Sequence, residues 1–250
     1  MSSLPHSARS ALIFAAGLGE RMRPLTDITP KPLLMAGGQP LIVWHLQRLA
    51  ALGVREVVIN TSWLAAQFPQ TLGDGSRWGV RIRYSYEGAT PLETGGGMLH
   101  ALPQLSGDND PNQPFVAING DIWCDADLAA LSIGPHNEAH LLLVENPPHH
   151  PRGDFCLRQD GYLASEGEPM LTFSGIGLYR PSLFAGWRAV IGGDAGGANA
   201  DPPRFKLAPL LHAAMGRGAV SGSRHYGRWT DVGTPQRLAE LNDALKQTRR

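Results

Sequence analysis

The sequence predicts an α/β fold with a mostly parallel sheet flanked by helices, joined to a smaller and more antiparallel portion. Two observations carry that prediction. Short apolar runs alternate with helical patterns through the first half, as βαβ units do. In the second half the apolar runs follow one another with fewer helical patterns between them. The 250 residues suit one large domain. A chain of that length buries about three quarters of its surface.

The elements follow in order. The apolar run 11–15 is the first strand and enters a glycine turn. A helix is predicted over 40–52, with Pro40 at its first turn and Gly53 past its end. Val57-Val58-Ile59-Asn60 reads as a buried strand and 62–71 as a short helix. Arg81-Ile82-Arg83-Tyr84-Ser85-Tyr86 alternates at period two, as a half-buried strand does. A helix over 95–102 leads to the core strand 115–118. Strands are predicted at 140–144, 154–158 and 171–179, with a Pro-rich loop at 147–151. Residues 192–203 are rich in Gly, Ala, Asp and Pro and read as a mobile loop. A helix at 206–216, a turn at 229–234 and a last helix at 235–247 complete the chain. Residues 1–10 read as a loose leader without the apolar stretch of a signal peptide, so 11–250 is expected to form one domain.

Bulk properties bound the partners. Twenty-two basic and 22 acidic residues give a formal net charge of zero, which argues against a nucleic acid or an anionic membrane as partner. Cys124 and Cys156 form no disulfide framework in so long a chain and suit a reducing, cytoplasmic setting. No apolar run reaches the ~18 residues of a membrane span.

The chemistry concentrates at the first strand's end. Ala15-Ala16-Gly17-Leu18-Gly19-Glu20-Arg21 is followed by Pro24-Leu25-Thr26 and Pro30-Lys31-Pro32. Glycines let backbone N–H groups approach an anion and form a concave nest. Arg21 offers a planar fork for phosphate and Lys31 a compact point charge. The spacing fits neither a Walker loop, since no Gly-Lys-Ser/Thr follows, nor a dinucleotide fingerprint, since Met22, Arg23 and Pro24 occupy the place of its third glycine. Asn119-Gly120-Asp121 follows the strand 115–118, where ligands of open α/β sheets bind, and a carboxylate there suits Mg²⁺. Asp231 on its own reads as a turn or capping residue. Lys206 at a helix start is either a phosphate contact or a solvated first-turn lysine.

Taken together, these segments resemble the sugar-1-phosphate nucleotidylyltransferases, over about residues 10–245. The resemblance implies a Rossmann-like, GT-A-type sheet with a sugar-binding portion at about 140–180. It implies that Ala15, Ala16, Gly17, Gly19, Glu20, Arg21, Lys31, Thr94, Gly95 and Asn119 hold the nucleotide, with Arg21 and Lys31 catalytic. Pro91-Leu92-Glu93-Thr94-Gly95-Gly96-Gly97 is similar to the family's segment along base and ribose. Asp121 and Asp231 match the two metal-binding aspartates, expected to hold Mg²⁺. Asn119, Arg152, Asp154, Gly175 and Lys206 fall on the sugar side. Where many members carry Glu-Lys-Pro, this chain has Glu168-Pro169 with no lysine between. The segments 73–77, 91–97, 149–155, 205–211 and 229–234 are similar to one branch, which transfers UMP from UTP to N-acetylmuramate 1-phosphate in cell-wall recycling. Glucose, mannose or N-acetylglucosamine 1-phosphate are the alternative acceptors. A non-catalytic nucleotide-sugar sensor is the reading outside enzymes, and such a chain is expected to lose Arg21, Lys31 or an aspartate.

Overall fold

The structure, a computed structural model, describes residues 8–105, 110–192, 197 and 199–247. Strand β1 (Ser10–Phe14) ends in a loop with a 3-10 turn at Glu20–Met22, followed by the one-turn helix α1 (Leu25–Ile28). A second 3-10 turn, Lys31–Leu33, precedes the small hairpin of β2 (Met35–Ala36) and β3 (Gln39–Pro40). Then come α2 (Leu41–Ala51), β4 (Glu56–Thr61), α3 (Gln67–Leu72), β5 (Arg81–Tyr86) and α4 (Glu93–Leu105). The second half holds β6 (Phe115–Asn119), β7 (Ile122–Cys124), β8 (Ala139–Val144), β9 (Phe155–Leu157), β10 (Leu163–Ala164) and β11 (Met170–Tyr179). It closes with α5 (Trp187–Ile191), α6 (Ala208–Gly216), β12 (Val220–Arg224), β13 (Trp229–Asp231) and α7 (Pro235–Gln247).

Nine strands form one mixed sheet, along β10-β9-β11-β6-β1-β4-β5, with β8 on β11 and β12 on β8. The pairs β1–β4, β1–β6 and β4–β5 are parallel, whereas β11 is antiparallel to β6, β8 and β9. Strand β1 is central, so both faces are covered and it reads as an unbroken apolar run. Its residues still divide by period two: Leu12 packs with Val58, Phe115 and Leu211 on one face, and Ile13 with Ile42, Leu46 and Phe68 on the other. The neighbouring parallel strands β6, β1, β4 and β5 deliver their carboxyl ends to one side of the sheet, and that is where the site lies.

Several elements differ from the sequence reading. The helix expected at 62–71 is only Gln67–Leu72, because Ser62 Oγ donates to Gly88 O and Trp63 Nε1 to Thr26 O, which holds 62–66 as a turn. The helix expected at 206–216 begins at Ala208. The turn 229–234 contains β13, paired with β7. Strand β12 was not expected from Val220-Ser221-Gly222-Ser223-Arg224, which lacks an apolar run. It pairs parallel to β8, and the hydroxyls of Ser221 and Ser223 meet the two ring nitrogens of His140 at 2.9 and 3.0 Å. Residues 1–7 of the expected leader lie outside the described residues, but Ser10 already belongs to β1 and its hydroxyl donates to Leu105 O. Of the loop expected at 192–203, residues 193–196 and 198 lie outside the described residues. Among the described residues, no helix is long and apolar enough to cross a membrane.

Candidate active site

The ends of β1, β4 and β6 open on a cavity of about 650 Å³. Its lining runs along the loop from Phe14 to Met22 and includes Lys31, Asn60, Glu87, Thr94, Asn119, Asp121 and Arg204. Of the expected nucleotide residues, Ala15, Ala16, Gly17, Gly19, Glu20, Arg21, Lys31, Thr94 and Asn119 therefore stand in one wall or another of a single cavity.

The loop's shape has local causes. Gly19 has φ +66°, and a Cβ there would fall 2.8 Å from Thr26 Cγ2, so both backbone and space require glycine. Thr26 Oγ1 donates to Gly19 O at 2.8 Å and holds the turn from behind. Around Gly17 nothing lies within 4 Å of a Cβ position, so its missing side chain leaves room only for what enters the cavity. Arg21 and Glu20 are exposed at the rim.

Lys31 and Asp121 form the charged floor. Lys31 stands between Pro30 and Pro32, whose fixed φ angles pre-set the 3-10 turn, and is 8% exposed. Its Nζ lies 2.5 Å from Asp121 Oδ2. Gly120 lets this happen: its N–H donates to Phe14 O at 2.8 Å, and a Cβ would clash with that same oxygen at 2.7 Å. Asp231 enters from β13, opposite Ile122, and Val232 N–H donates to Asp121 O at 2.8 Å. The two carboxylates are thus carried by neighbouring backbone. Asp231 Oδ1 bonds Arg237 Nη1 and lies 2.9 Å from His149 Nε2. Among the described residues no cluster of three or more His, Cys, Asp or Glu could hold a metal, so a cation here would rely on these two carboxylates.

Other expected residues stand elsewhere. Gly95 does not line the cavity, because its N–H and that of Gly96 both donate to Phe205 O at 2.9 Å. The glycine triplet is a packing device: a Cβ at 95 would meet the Phe205 ring at 2.6 Å, at 96 Pro203 O at 2.4 Å, and at 97 Glu87 Oε1 at 2.3 Å. Thr94 Oγ1 accepts from Leu207 N–H at 3.1 Å, which leaves its own hydroxyl hydrogen to give. Asp154 is outside the lining, and both its oxygens are engaged, by Phe173 N–H at 2.8 Å and His150 Nε2 at 3.0 Å. It caps the bulge of β11 between Phe173 and Ile176. Gly175, at φ +84°, lies in that bulge, and a Cβ would fall 2.8 Å from Asn119 Nδ2. Arg152 is exposed on a turn, and Lys206 is exposed two residues before α6, with neither in the lining.

Sequence reasoning missed Asn60, Glu87 and Arg204. Arg204 braces the rim, donating from Nε to Pro91 O at 3.0 Å and from Nη2 to Glu93 at 3.1 Å. Glu87 is buried, and desolvation pushes its carboxyl above the usual range, against hydrogen bonds from Leu92 and Asn60. The signal for Asn60 was its place near the end of a parallel strand, and for Glu87 its place directly after another, β5; neither shows that the two side chains meet.

The nucleotidyl transferase family matches residues 10–152. An N-acetylmuramate alpha-1-phosphate uridylyltransferase of Neisseria meningitidis serogroup B is 51% identical over 237 residues, 92% of this chain and 95% of that protein. The chain belongs to the nucleotidyl transferase family. A second relative of the same name, from Caulobacter vibrioides, is 33% identical over 94% of this chain and 95% of its own. A mannose-1-phosphate guanylyltransferase of Mycobacterium tuberculosis is 32% identical over 90% of this chain and 61% of its own length. In fold, a Bacillus anthracis protein solved in complex with a sucrose matches with TM-score 0.77 at 21% identity, over 95% of each chain. Together the family and these relatives make the protein a sugar-1-phosphate nucleotidyltransferase.

Proposed function

We propose that this enzyme transfers UMP from UTP to N-acetylmuramate 1-phosphate, releasing pyrophosphate, and that it serves cell-wall recycling in the cytoplasm. The observation that carries this reading is the 51% identity to a uridylyltransferase of that specificity over 92% of the chain. The buried free thiols of Cys124 and Cys156 agree with a reducing compartment.

The reaction needs no protein nucleophile. A phosphate oxygen of the sugar phosphate attacks the α-phosphorus of UTP in line, the new P–O bond forms, and the bond to the β-phosphate oxygen breaks with its electron pair on pyrophosphate. Positioning and charge stabilisation then supply the catalysis. Lys31, desolvated and already held by Asp121 at 2.5 Å, presents a fixed positive charge to the reacting phosphates. Arg21 at the rim grips the departing pyrophosphate through paired N–H donors. The open side of Gly17 admits the nucleotide against the backbone of Ala15 and Ala16. Asp121, which lines the cavity, and Asp231, which stands outside its lining beside Arg237 and His149, are the carboxylates that would hold Mg²⁺, an ion commonly bound by one or two carboxylates together with substrate phosphates. Such an ion would neutralise charge on the phosphates. Asn119, which lines the cavity with Gly175 close against it, is assigned to the acceptor in this reading.

A panel of N-acetylmuramate, N-acetylglucosamine, glucose and mannose 1-phosphates against UTP, GTP and dTTP tests the reading. The expected result is the highest kcat/KM for UTP with N-acetylmuramate 1-phosphate. A preference for any other pair would replace that substrate, and nucleotide binding without turnover on any pair would favour a sensor.

A further inference from the structure

One carboxylate in the cavity wall takes no part in the proposed reaction. Glu87 lines the cavity yet is only 5% exposed. Its Oε1 accepts from Asn60 Nδ2 at 2.6 Å and its Oε2 from Leu92 N–H at 2.8 Å. Asn60 Oδ1 in turn accepts from Ala15 N–H at 2.6 Å. The relay thus joins the loop after β1, the end of β4 and the turn before α4. Room for it is made by Gly97, where a Cβ would fall 2.3 Å from Glu87 Oε1 and 2.9 Å from Asn60 Nδ2.

The direction of each bond is forced. Backbone N–H groups at the two ends can only donate, and the Asn60 amide, one acceptor and one donor, passes that direction on. Residue 87 must therefore accept from both sides, which a carboxylate does and an amide cannot. Glutamine at 87 would set its own amide hydrogens against Asn60 Nδ2 or against Leu92 N–H. Flipping Asn60 only moves the conflict to Ala15 N–H. Every arrangement leaves one buried donor facing another.

We propose that the Asn60–Glu87 relay is a positioning device for the nucleotide: it holds the Ala15–Gly17 backbone and the 91–94 turn at a fixed separation and so sets the slot for base and ribose. Asn60 and Glu87 act through Ala15 and Leu92 and are positioning residues. The inference rests on the proposed reading that the nucleotide lies along these two segments.

The test is a donor–acceptor swap. In Asn60→Asp/Glu87→Gln, Ala15 N–H donates to Asp Oδ1, the Gln amide donates to Asp Oδ2, and Leu92 N–H donates to the Gln carbonyl. Every donor is paired again, with the charge moved by one residue. UTP affinity is measured by direct titration, alongside KM for each substrate and a denaturation midpoint. Glu87→Gln is expected to weaken UTP binding about tenfold or more, with the sugar-phosphate KM within about twofold. Asn60→Asp alone sets two carboxylates against each other and is expected to weaken UTP binding likewise. The double variant is expected to return to within about threefold of wild type. Losses in the double variant that equal the sum of the single ones would overturn the relay. So would singles that bind UTP normally, or singles that raise both KM values equally as the midpoint falls. Should a single variant not fold, a double variant that folds but still binds UTP weakly overturns it as well. Direct titration separates the two readings: wild-type protein that binds UTP without turnover on any sugar phosphate defeats the proposed reaction while leaving the relay to be judged by affinity.

Discussion

Lys31 is a buried lysine whose ammonium is held by a carboxylate and still faces the cavity. Fixed charge of that kind favours a transition state in which negative charge builds up on phosphate oxygens. Lys31→Ala is therefore expected to lower kcat about a hundredfold or more while changing the KM for UTP much less. A rise in KM alone would make Lys31 a ground-state anchor. Asp121→Asn and Asp231→Asn are each expected to abolish most turnover at sub-saturating Mg²⁺ without loss of fold, checked by activity and by the thermal midpoint. Turnover near wild type in either would count against the two-carboxylate cation site. Arg152 is exposed and outside the cavity lining, so its variant tests whether the lactyl carboxylate of the proposed acceptor extends beyond that lining to a guanidinium. Arg152→Ala is expected to lose about tenfold in kcat/KM on N-acetylmuramate 1-phosphate and little on N-acetylglucosamine 1-phosphate. Equal losses on both sugars would remove it as the carboxylate reader.

Helix α4 shows how one element can hide two kinds of glycine argument. Its first turn lends N–H groups to Phe205 O, and its Gly95-Gly96-Gly97 run lies against Phe205, Pro203 and Glu87. These glycines serve packing, while Gly17 in the loop after β1 borders open cavity. The two classes are separable. Gly96→Ala places a methyl 2.4 Å from Pro203 O and is expected to cost about 1–3 kcal/mol of stability, read as a lower urea midpoint. Gly17→Ala is expected to leave that midpoint in place and to raise the KM for UTP, because nothing in the protein lies within 4 Å of the added carbon. The reverse pattern would exchange the two roles.

At the scale of the whole molecule, acid stability has an identifiable contributor. His45 on α2 is 1% exposed, and among the described residues its ring nitrogens make no well-formed hydrogen bond, the backbone of Ile122 offering only a weak contact that favours the charged ring. Burial, with the nearby positive charge of Arg48, lowers its pKa from 6.5 to about 4. The unfolded chain thus binds this proton near pH 6.5 and the folded chain only near pH 4. Folding stability is whole above about pH 6.5 and declines as pH falls towards about 4, by about 3 kcal/mol from this group alone. The check is the urea midpoint against pH for wild type and His45→Phe. The difference between the two is expected to change across that window, and a constant difference would remove His45 as the cause.

The parallel half of the sheet was legible residue by residue. Strands buried on both faces need unbroken apolar runs, and 11–15, 57–59 and 115–118 supply them, so β1, β4 and β6 and the loops at their ends could be read directly. The glycine loop, Lys31 and Asp121 were legible for the same reason: they follow those strands, and a strand's carboxyl end has a known side of the sheet. Strand β12 was not, because its pairing depends on an open edge of β8 and on His140 between two serines. Glu87 was not either, since nothing around it in sequence shows that Asn60 and Leu92 converge on it. Nor could the sequence tell a glycine that faces a ligand from one that faces Phe205. Local pattern sets which residues form elements and where loops begin. Which buried groups meet across 27 or 205 positions of chain, as Asn60 meets Glu87 and Gly37 meets Asn242, is decided by packing, because only there does each donor find its acceptor.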